Sequence, residues 1–198
     1  MGYREEINEI LKENMSELGY KFWLGIEKKI PNALNKPTSS SGKYHKREER
    51  NIPTQGEHVW EMLYACSKLL TIFNIEKNTS EADTLLLAIA LHDCLKYGAK
   101  PEGAPHTNHT HDQRAADMVS KNKEIFLKVL DEGQTKRMEE AIRYHTGRWS
   151  TDARENFDFE NIHPYAFFVH MLDMLSTTDL IKVGQKNQNE REEYYGSE

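Results

Sequence analysis

The chain has 198 residues, a formal net charge of −6, 37% hydrophobic residues and 29% charged ones. That length suits one domain with a full core, and that composition describes a folded, soluble chain rather than a disordered one. The acidic balance argues against a dedicated nucleic-acid-binding surface, which would present a dominant basic face. The two cysteines, Cys66 and Cys94, fall inside predicted helices and read as reduced, buried thiols rather than a disulfide framework. Met1 to Leu11 is charged from Arg4 onward and has no apolar signal-peptide region, and Glu6 breaks the Gly2 myristoylation pattern. No apolar run reaches the roughly 18 residues a membrane span needs. The expectation is a cytoplasmic protein with no membrane partner.

Residues 3–18 read as a helix, with Ile7, Ile10, Leu11, Met15 and Leu18 at helical spacing and Gly19 as its stop. Tyr20 to Ile30 is aromatic-rich, with Phe22 and Trp23, and ends at Pro31. From Pro31 to Pro53 the composition turns to PNALNKPTSSSGKYHKREERNIP, a segment too long for an ordinary connection in a compact domain. Its Lys43, His45, Lys46, Arg47 and Arg50 make it the most basic stretch of the chain. Backbone amides of its Ser/Gly run beside Lys43 suit a phosphate or carboxylate. Composition alone favours a solvated charged loop.

A helix is expected from Gly56 to Asn74, with Val59, Met62, Leu63, Cys66, Leu69, Leu70 and Phe73 as its apolar stripe and His58 in its first turn. Ser80 opens the next, with Asp83 three residues on as a near-match to a capping box. This central helix is expected to carry LLLAIALHDCLKYG, from Leu85 to Gly98. Apolar residues nearly all round a helix mean burial on most of its surface. His92 and Asp93 end that apolar run, and burying them unpaired would cost several kcal/mol. They are sustained either by a metal ion or by a hydrogen bond to each other.

Beyond Gly98 a loop with Pro101 and Pro105 leads through His106, His109 and His111 into a helix running to Leu130. Gln134 to His145 forms another helix, with Met138, Ile142 and His145 on one face; Gly147, Arg148 and Trp149 follow. A polar loop over 151–161 precedes a last helix over 163–183. Within its stripe of Phe167, Phe168, Met171, Met174, Leu175 and Leu180 stands a carboxylate, Asp173, with His170 one turn before it. The tail after Gly184 is polar and expected to fray. No strand and no internal repeat is evident, so the fold class expected is all-α. The organisation expected is an N-terminal helix and basic loop (1–55) packed on the main domain (56–183), then a tail (184–198).

His58, His92–Asp93, one histidine of the 106/109/111 group, His145 and Asp173 each stand near a helix end or on a buried face. They offer the nitrogen and carboxylate ligands that divalent transition metals prefer. In this order, H…HD…H…H…D, they resemble the HD-domain superfamily over roughly residues 56–180. The resemblance implies a helical bundle holding one or two divalent ions (Mn, Fe, Co, Ni or Zn). Its implied ligands are His58, His92, Asp93, His111, His145 and Asp173. Asp93 would be the bridging carboxylate, and Lys96 matches the lysine of the HDxxK form. His111 fits the histidine opening the following helix better than His109, because Ala115 and Ala116 trail it as small residues do in the family; the choice stays open.

SGKYH (Ser41 to His45) and HTGRW (His145 to Trp149) are similar to motifs of a narrower group of small HD proteins from phages and prophages. On that resemblance the basic loop joins the site, with Lys43, His45, Arg148 and Trp149 on the substrate side. Cys94 departs from the hydrophobic residue many members carry, and the missing GYP signature argues against a cyclic-di-GMP phosphodiesterase. The chemistry implied is hydrolysis of a phosphate ester or anhydride in a small phosphorylated substrate, nucleotide-like, by a metal-activated water. Lys43, Lys96 and Arg148 are the candidate phosphate clamp, His109 a candidate general acid, and Trp149 or Tyr97 a candidate base-stacking residue. A mixed-valent diiron oxygenase and a non-catalytic metal- or nucleotide-binding module are the alternatives. A homo-oligomer is compatible with the aromatics of the first thirty residues.

Overall fold

Ile7 and Leu11, one turn apart, bury one face of the first helix, α1 (Tyr3–Asn14). The chain then breaks at Met15–Ser16 and starts a second helix, α2 (Glu17–Ile26). The computed structural model describes residues 3–31, 34–38, 53–100, 103–147 and 160–177. One helix to Leu18 with Gly19 as its stop is therefore incorrect. The Ser16 hydroxyl accepts the Gly19 N–H at 2.9 Å and caps α2, a role for which serine is among the best residues. Leu18 is 58% exposed, whereas Gly19 lies buried inside α2. Asp83 explains why Gly19 must be a glycine. A Cβ there would sit 2.3 Å from the Asp83 carboxylate carbon.

The short stretch 34–38 runs against the start of α3 (Gln55–Leu69). Gln55 N–H donates to Lys36 O at 2.7 Å and Gly56 N–H to Leu34 O at 2.8 Å. Thr54 caps α3 by accepting the Glu57 N–H at 3.1 Å. The expected helix to Asn74 ends as a 3₁₀ turn over Leu70–Phe73. Thr79, not Ser80, caps α4 (Ser80–Leu91). Asp83 is accordingly free of capping duty and accepts from the Ser16 N–H and hydroxyl instead, at 2.8 and 2.5 Å.

Every residue of α4 from Ala82 to Leu91 is buried, as its apolar circumference requires. The α-helix does not run on to Gly98. It stops at Leu91, and the chain continues in tight turns: Cys94 N–H donates to Leu91 O, Lys96 N–H to Asp93 O and Gly98 N–H to Leu95 O, at 2.9–3.0 Å. These three-residue steps set Lys96 directly beside Asp93. There follow α5 (His111–Lys121), the single turn α6 (Lys123–Phe126), α7 (Glu132–Tyr144) and α8 (Pro164–Ser176). Asp131 and Gln134 form a full capping box on α7, while His163 caps α8 with Pro164 in its first turn. The last helix ends at Ser176, short of the expected span; 178–183 lie outside the described residues.

Helix α7 packs on α4, α5 and α8, and α3 packs on α1, α4 and α8, so α4 is enclosed. Ile7, Leu11, Met15 and Trp23 of the N-terminal pair join the same core as Leu86, Ile89, Met138 and Leu172. The fold is all-α, with no strand among the described residues beyond an isolated bridge between Pro37 and Thr54. No described helix is long and apolar enough to cross a membrane. Cys66 and Cys94 are free and buried. Burial pushes both thiols up, Cys94 to about 12 with Asp93 adding to the effect, so neither is a nucleophile near neutrality.

Candidate metal centre

Asp93 stands where five elements meet. His58 comes from the first turn of α3, and His92 and Asp93 from the turns after α4. His111 is the first residue of α5, His145 follows the last of α7, and Asp173 sits on α8. Near Asp93 Oδ1 lie His111 Nε2 at 2.9 Å and His145 Nε2 at 3.4 Å. Near Oδ2 lie His92 Nε2 at 3.4 Å and His58 Nε2 at 3.7 Å. His58 Nε2 is also 3.2 Å from Asp173 Oδ1 and 3.1 Å from His92 Nε2. His58, His92 and His145 are essentially inaccessible to solvent.

The far side of each ring shows what the near side must be. His92 Nδ1 lies 2.6 Å from Ile89 O, His111 Nδ1 2.7 Å from Asn108 O and His145 Nδ1 2.7 Å from Ile142 O. A carbonyl only accepts, so each Nδ1 carries the proton. His58 Nδ1 is 2.7 Å from the Ser176 hydroxyl, whose own proton goes to Asp173 O at 2.8 Å. His58 Nδ1 is thus a donor as well. In the neutral rings all four Nε2 atoms are bare lone pairs, facing one another and two carboxylates.

Lone pairs do not face lone pairs in a buried space without a cation between them. The mismatch is visible at His111 Nε2 and Asp93 Oδ1, which are 2.9 Å apart yet lack hydrogen-bond alignment and have no other hydrogen-bond partner among the described residues. His58, His92 and Asp173 form one group of atoms close enough to hold an ion, and His92, Asp93 and His145 a second. Imidazole nitrogens oriented through their opposite N–H, with carboxylate oxygens, are the donor set expected for divalent transition metals. The residues fit such an ion.

The electrostatics call for positive charge among these groups, whether protons on the rings or an ion supply it. Burial alone would raise the Asp93 carboxyl, but Lys96, His92 and His111 hold it well below the usual carboxylate range. Asp173 likewise is lowered against its burial, chiefly by His58. Burial pushes His58 down despite the pull of Asp173, keeping a lone pair ready to ligate. His145 is raised because Asp93 and Asp173 outweigh its burial. The two carboxylates want positive charge beside them.

Six residues expected as ligands therefore come together: His58, His92, Asp93, His111, His145 and Asp173. His106 and His109 are exposed on the loop before α5. Lys96 is buried, with its ammonium 2.5 Å from Asp93 Oδ2. Tyr97 is 2% exposed and its hydroxyl donates to Pro37 O, which makes it a packing residue rather than a stacking platform. Lys43, His45, Arg148 and Trp149 lie outside the described residues.

Two supporting residues, Gln55 and Ser176, were not legible in the sequence, and a third, His170, stood out there only by its place one turn before Asp173. Gln55 donates from Nε2 to Asp93 Oδ2 at 2.6 Å. Ser176 orients His58, and nothing in its spacing announces a role beyond its place one turn after Asp173. His170 Nδ1 lies 2.7 Å from His145 O, donating its proton there. Its ring fills the space where a Cβ on Gly147 would lie, 2.6 Å away, and Gly147 also has φ of +56°.

A model of the HD domain matches residues 56–178 of the chain. No curated protein and no solved structure matches it.

Proposed function

Because the chain belongs to the HD domain family, we propose that it is a metal-dependent phosphohydrolase cleaving a phosphate ester or anhydride of a nucleotide-like substrate. The observation that carries this reading is the convergence of four bare Nε2 atoms on Asp93 and Asp173 in a buried space. His58, His92, Asp93 and Asp173 would hold one ion; His111 and His145, with Asp93 shared, would hold a second. When bound, one or two divalent ions (Mn, Fe, Co, Ni or Zn) neutralise phosphoryl oxygens and acidify water toward neutral pH.

The chain's own groups have separable tasks. Lys96 and Gln55 hold Asp93 through Oδ2, and Lys96 helps keep it ionised, leaving Oδ1 turned toward His111 and His145. His109, exposed two residues before His111, is the proposed proton donor to the leaving oxygen. Lys43, His45 and Arg148 are proposed to clamp the phosphate and Trp149 to pack on the substrate, as the likeness of SGKYH and HTGRW to the narrower HD group implies. The domain boundaries at 55/56 and 183/184 belong to the same proposal.

The test is elemental analysis of the purified protein, with phosphate release measured on the same sample across a panel of nucleotides. One or two equivalents of metal with chelator-sensitive release are expected. Two irons with oxygen uptake and no phosphate release would replace the reading with an oxygenase. Absence of bound metal, with no activity on adding any of the five ions, would overturn it in favour of a non-catalytic module.

A further inference from the structure

Asp93 is shared between the histidine cluster and a second space whose lining lies largely outside the HD match. A cleft open to solvent lies between the N-terminal pair α1–α2, the chain after α2, and helices α3 and α4. Its walls are apolar: Ile7, Trp23, Ile30 and Leu34 on one side, Val59 and Ala90 on the other. An Arg4–Glu27 ion pair of 2.9 Å stands at it. Gln55 and Asp93 are the polar groups of α3 and of the turns after α4 that line it.

Gln55 carries the chemical clue. It is 2% exposed, and its Nε2 donates to Asp93 Oδ2 at 2.6 Å. That contact fixes the amide, because turning it over would set a carbonyl oxygen against a carboxylate. Oε1 is then the free end of an amide that lines the cleft, buried and with no hydrogen-bond partner among the described residues. A buried amide oxygen left unpaired is costly, so a position held this firmly suits a ligand that brings a donor. Apolar walls with one converging acceptor are what a flat, weakly polar group carrying N–H needs. A phosphate has no use for either feature.

We infer that this cleft seats the base of the substrate and that Gln55 Oε1 accepts a hydrogen bond from an N–H of that base, which makes Gln55 a specificity-determining residue. The inference rests on the phosphohydrolase reading for the position of the phosphate at the metal centre. It adds that the N-terminal pair, outside the matched HD region, builds the substrate pocket. Asp93 would then be the hinge point between phosphate and base sites, its orientation set by the residue that reads the base.

The test uses nucleosides, which lack the phosphate, on the full metal-loaded chain, with inorganic phosphate as the separate probe of the metal centre. Calorimetry compares thymidine with N3-methylthymidine and adenosine with N6,N6-dimethyladenosine. In the wild type one unmethylated nucleoside should bind about tenfold more tightly than its methylated partner. In Gln55→Leu that preference should collapse to near unity, whatever the variant does to overall affinity. Leu34→Trp, which fills the cleft from outside the histidine cluster, should abolish nucleoside binding while leaving metal content and phosphate binding at wild-type levels. Phosphate binding without binding of any nucleoside would overturn this inference and leave the phosphohydrolase reading intact. So would a methylation effect undiminished in Gln55→Leu. Nucleoside binding with the expected variant effects, but no metal and no phosphate bound, would support the cleft and remove the phosphohydrolase reading.

Discussion

Ser176 and His111 are the residues on which the metal-centre assignment can be tested one side chain at a time. The Ser176 hydroxyl accepts the His58 Nδ1 proton and so decides which nitrogen of His58 faces Asp173. Ser176→Ala should weaken metal binding by about 10–100-fold, as loss of an orienting partner typically does, with little change in helix content. Competition with a fluorescent chelator reads the affinity, and circular dichroism reads the fold. His111→Ala should lower bound metal because its Nε2 faces Asp93 Oδ1 at 2.9 Å. His109→Ala should keep the wild-type stoichiometry and, on the general-acid proposal, lose turnover. Equal metal loss in both would show that the loop before α5 supplies the ligand in another way. The order of the histidines was readable from the sequence because each sits at a helix end next to an apolar run. The choice between His109 and His111 was not, since both lie in one loop and only the start of α5 at His111 separates them. Gln55 was hidden for a different reason: its partner, Asp93, is 38 residues away.

At the level of elements, the junction between α2 and α4 holds the N-terminal pair on the core. Asp83 accepts from Ser16 twice, and Gly19 leaves room for its carboxylate. Gly19→Ala should destabilise by about 1–3 kcal/mol, the usual cost of overpacking, measured as a lower urea midpoint with an unchanged m-value. Burial pushes the Asp83 carboxyl above its usual range, against the pull of both Ser16 donors. The folded chain therefore binds that proton more tightly than the unfolded chain does. The stabilisation is whole below the unfolded pKa and lost as pH rises through the folded one. Asp83→Asn should flatten this part of the stability-versus-pH curve just above the ordinary carboxylate range, as unfolding at a series of pH values would show. Helical periodicity made α3, α4 and α7 legible. It failed at α1–α2 because Leu18 continued the apolar spacing of α1 in the sequence while the chain had already turned at Ser16. It failed again after Leu91, where apolar composition persists but hydrogen bonding shortens to three-residue turns. A 3.6-residue pattern cannot register a long-range acceptor such as Asp83 or a change of turn type.

For the molecule as a whole, the centre joins α3, the turn after α4, α5, the end of α7, and α8, so an ion there ties together most of the bundle. Binding to the folded state alone raises stability by RT ln(1 + [L]/Kd), about 2.7 kcal/mol at a hundredfold excess over Kd. Chelation should therefore lower Tm by several degrees, and re-adding the preferred ion among Mn, Fe, Co, Ni and Zn should restore it. A Tm indifferent to both treatments would contradict an ion at this junction. One detail of the ligands bears on how such a molecule can change over time. His92, His111 and His145 each take their aim from the main-chain carbonyl three residues earlier, an atom that every amino acid supplies. Mutational drift in the surrounding side chains can thus reshape the neighbourhood of these three without turning the rings. His58 depends instead on a hydroxyl, which a single codon change at Ser176 can delete. The lineage's freedom to retune this centre is consequently uneven: three candidate ligands are insulated from their surroundings, and the fourth is a point at which selection could loosen an ion held there.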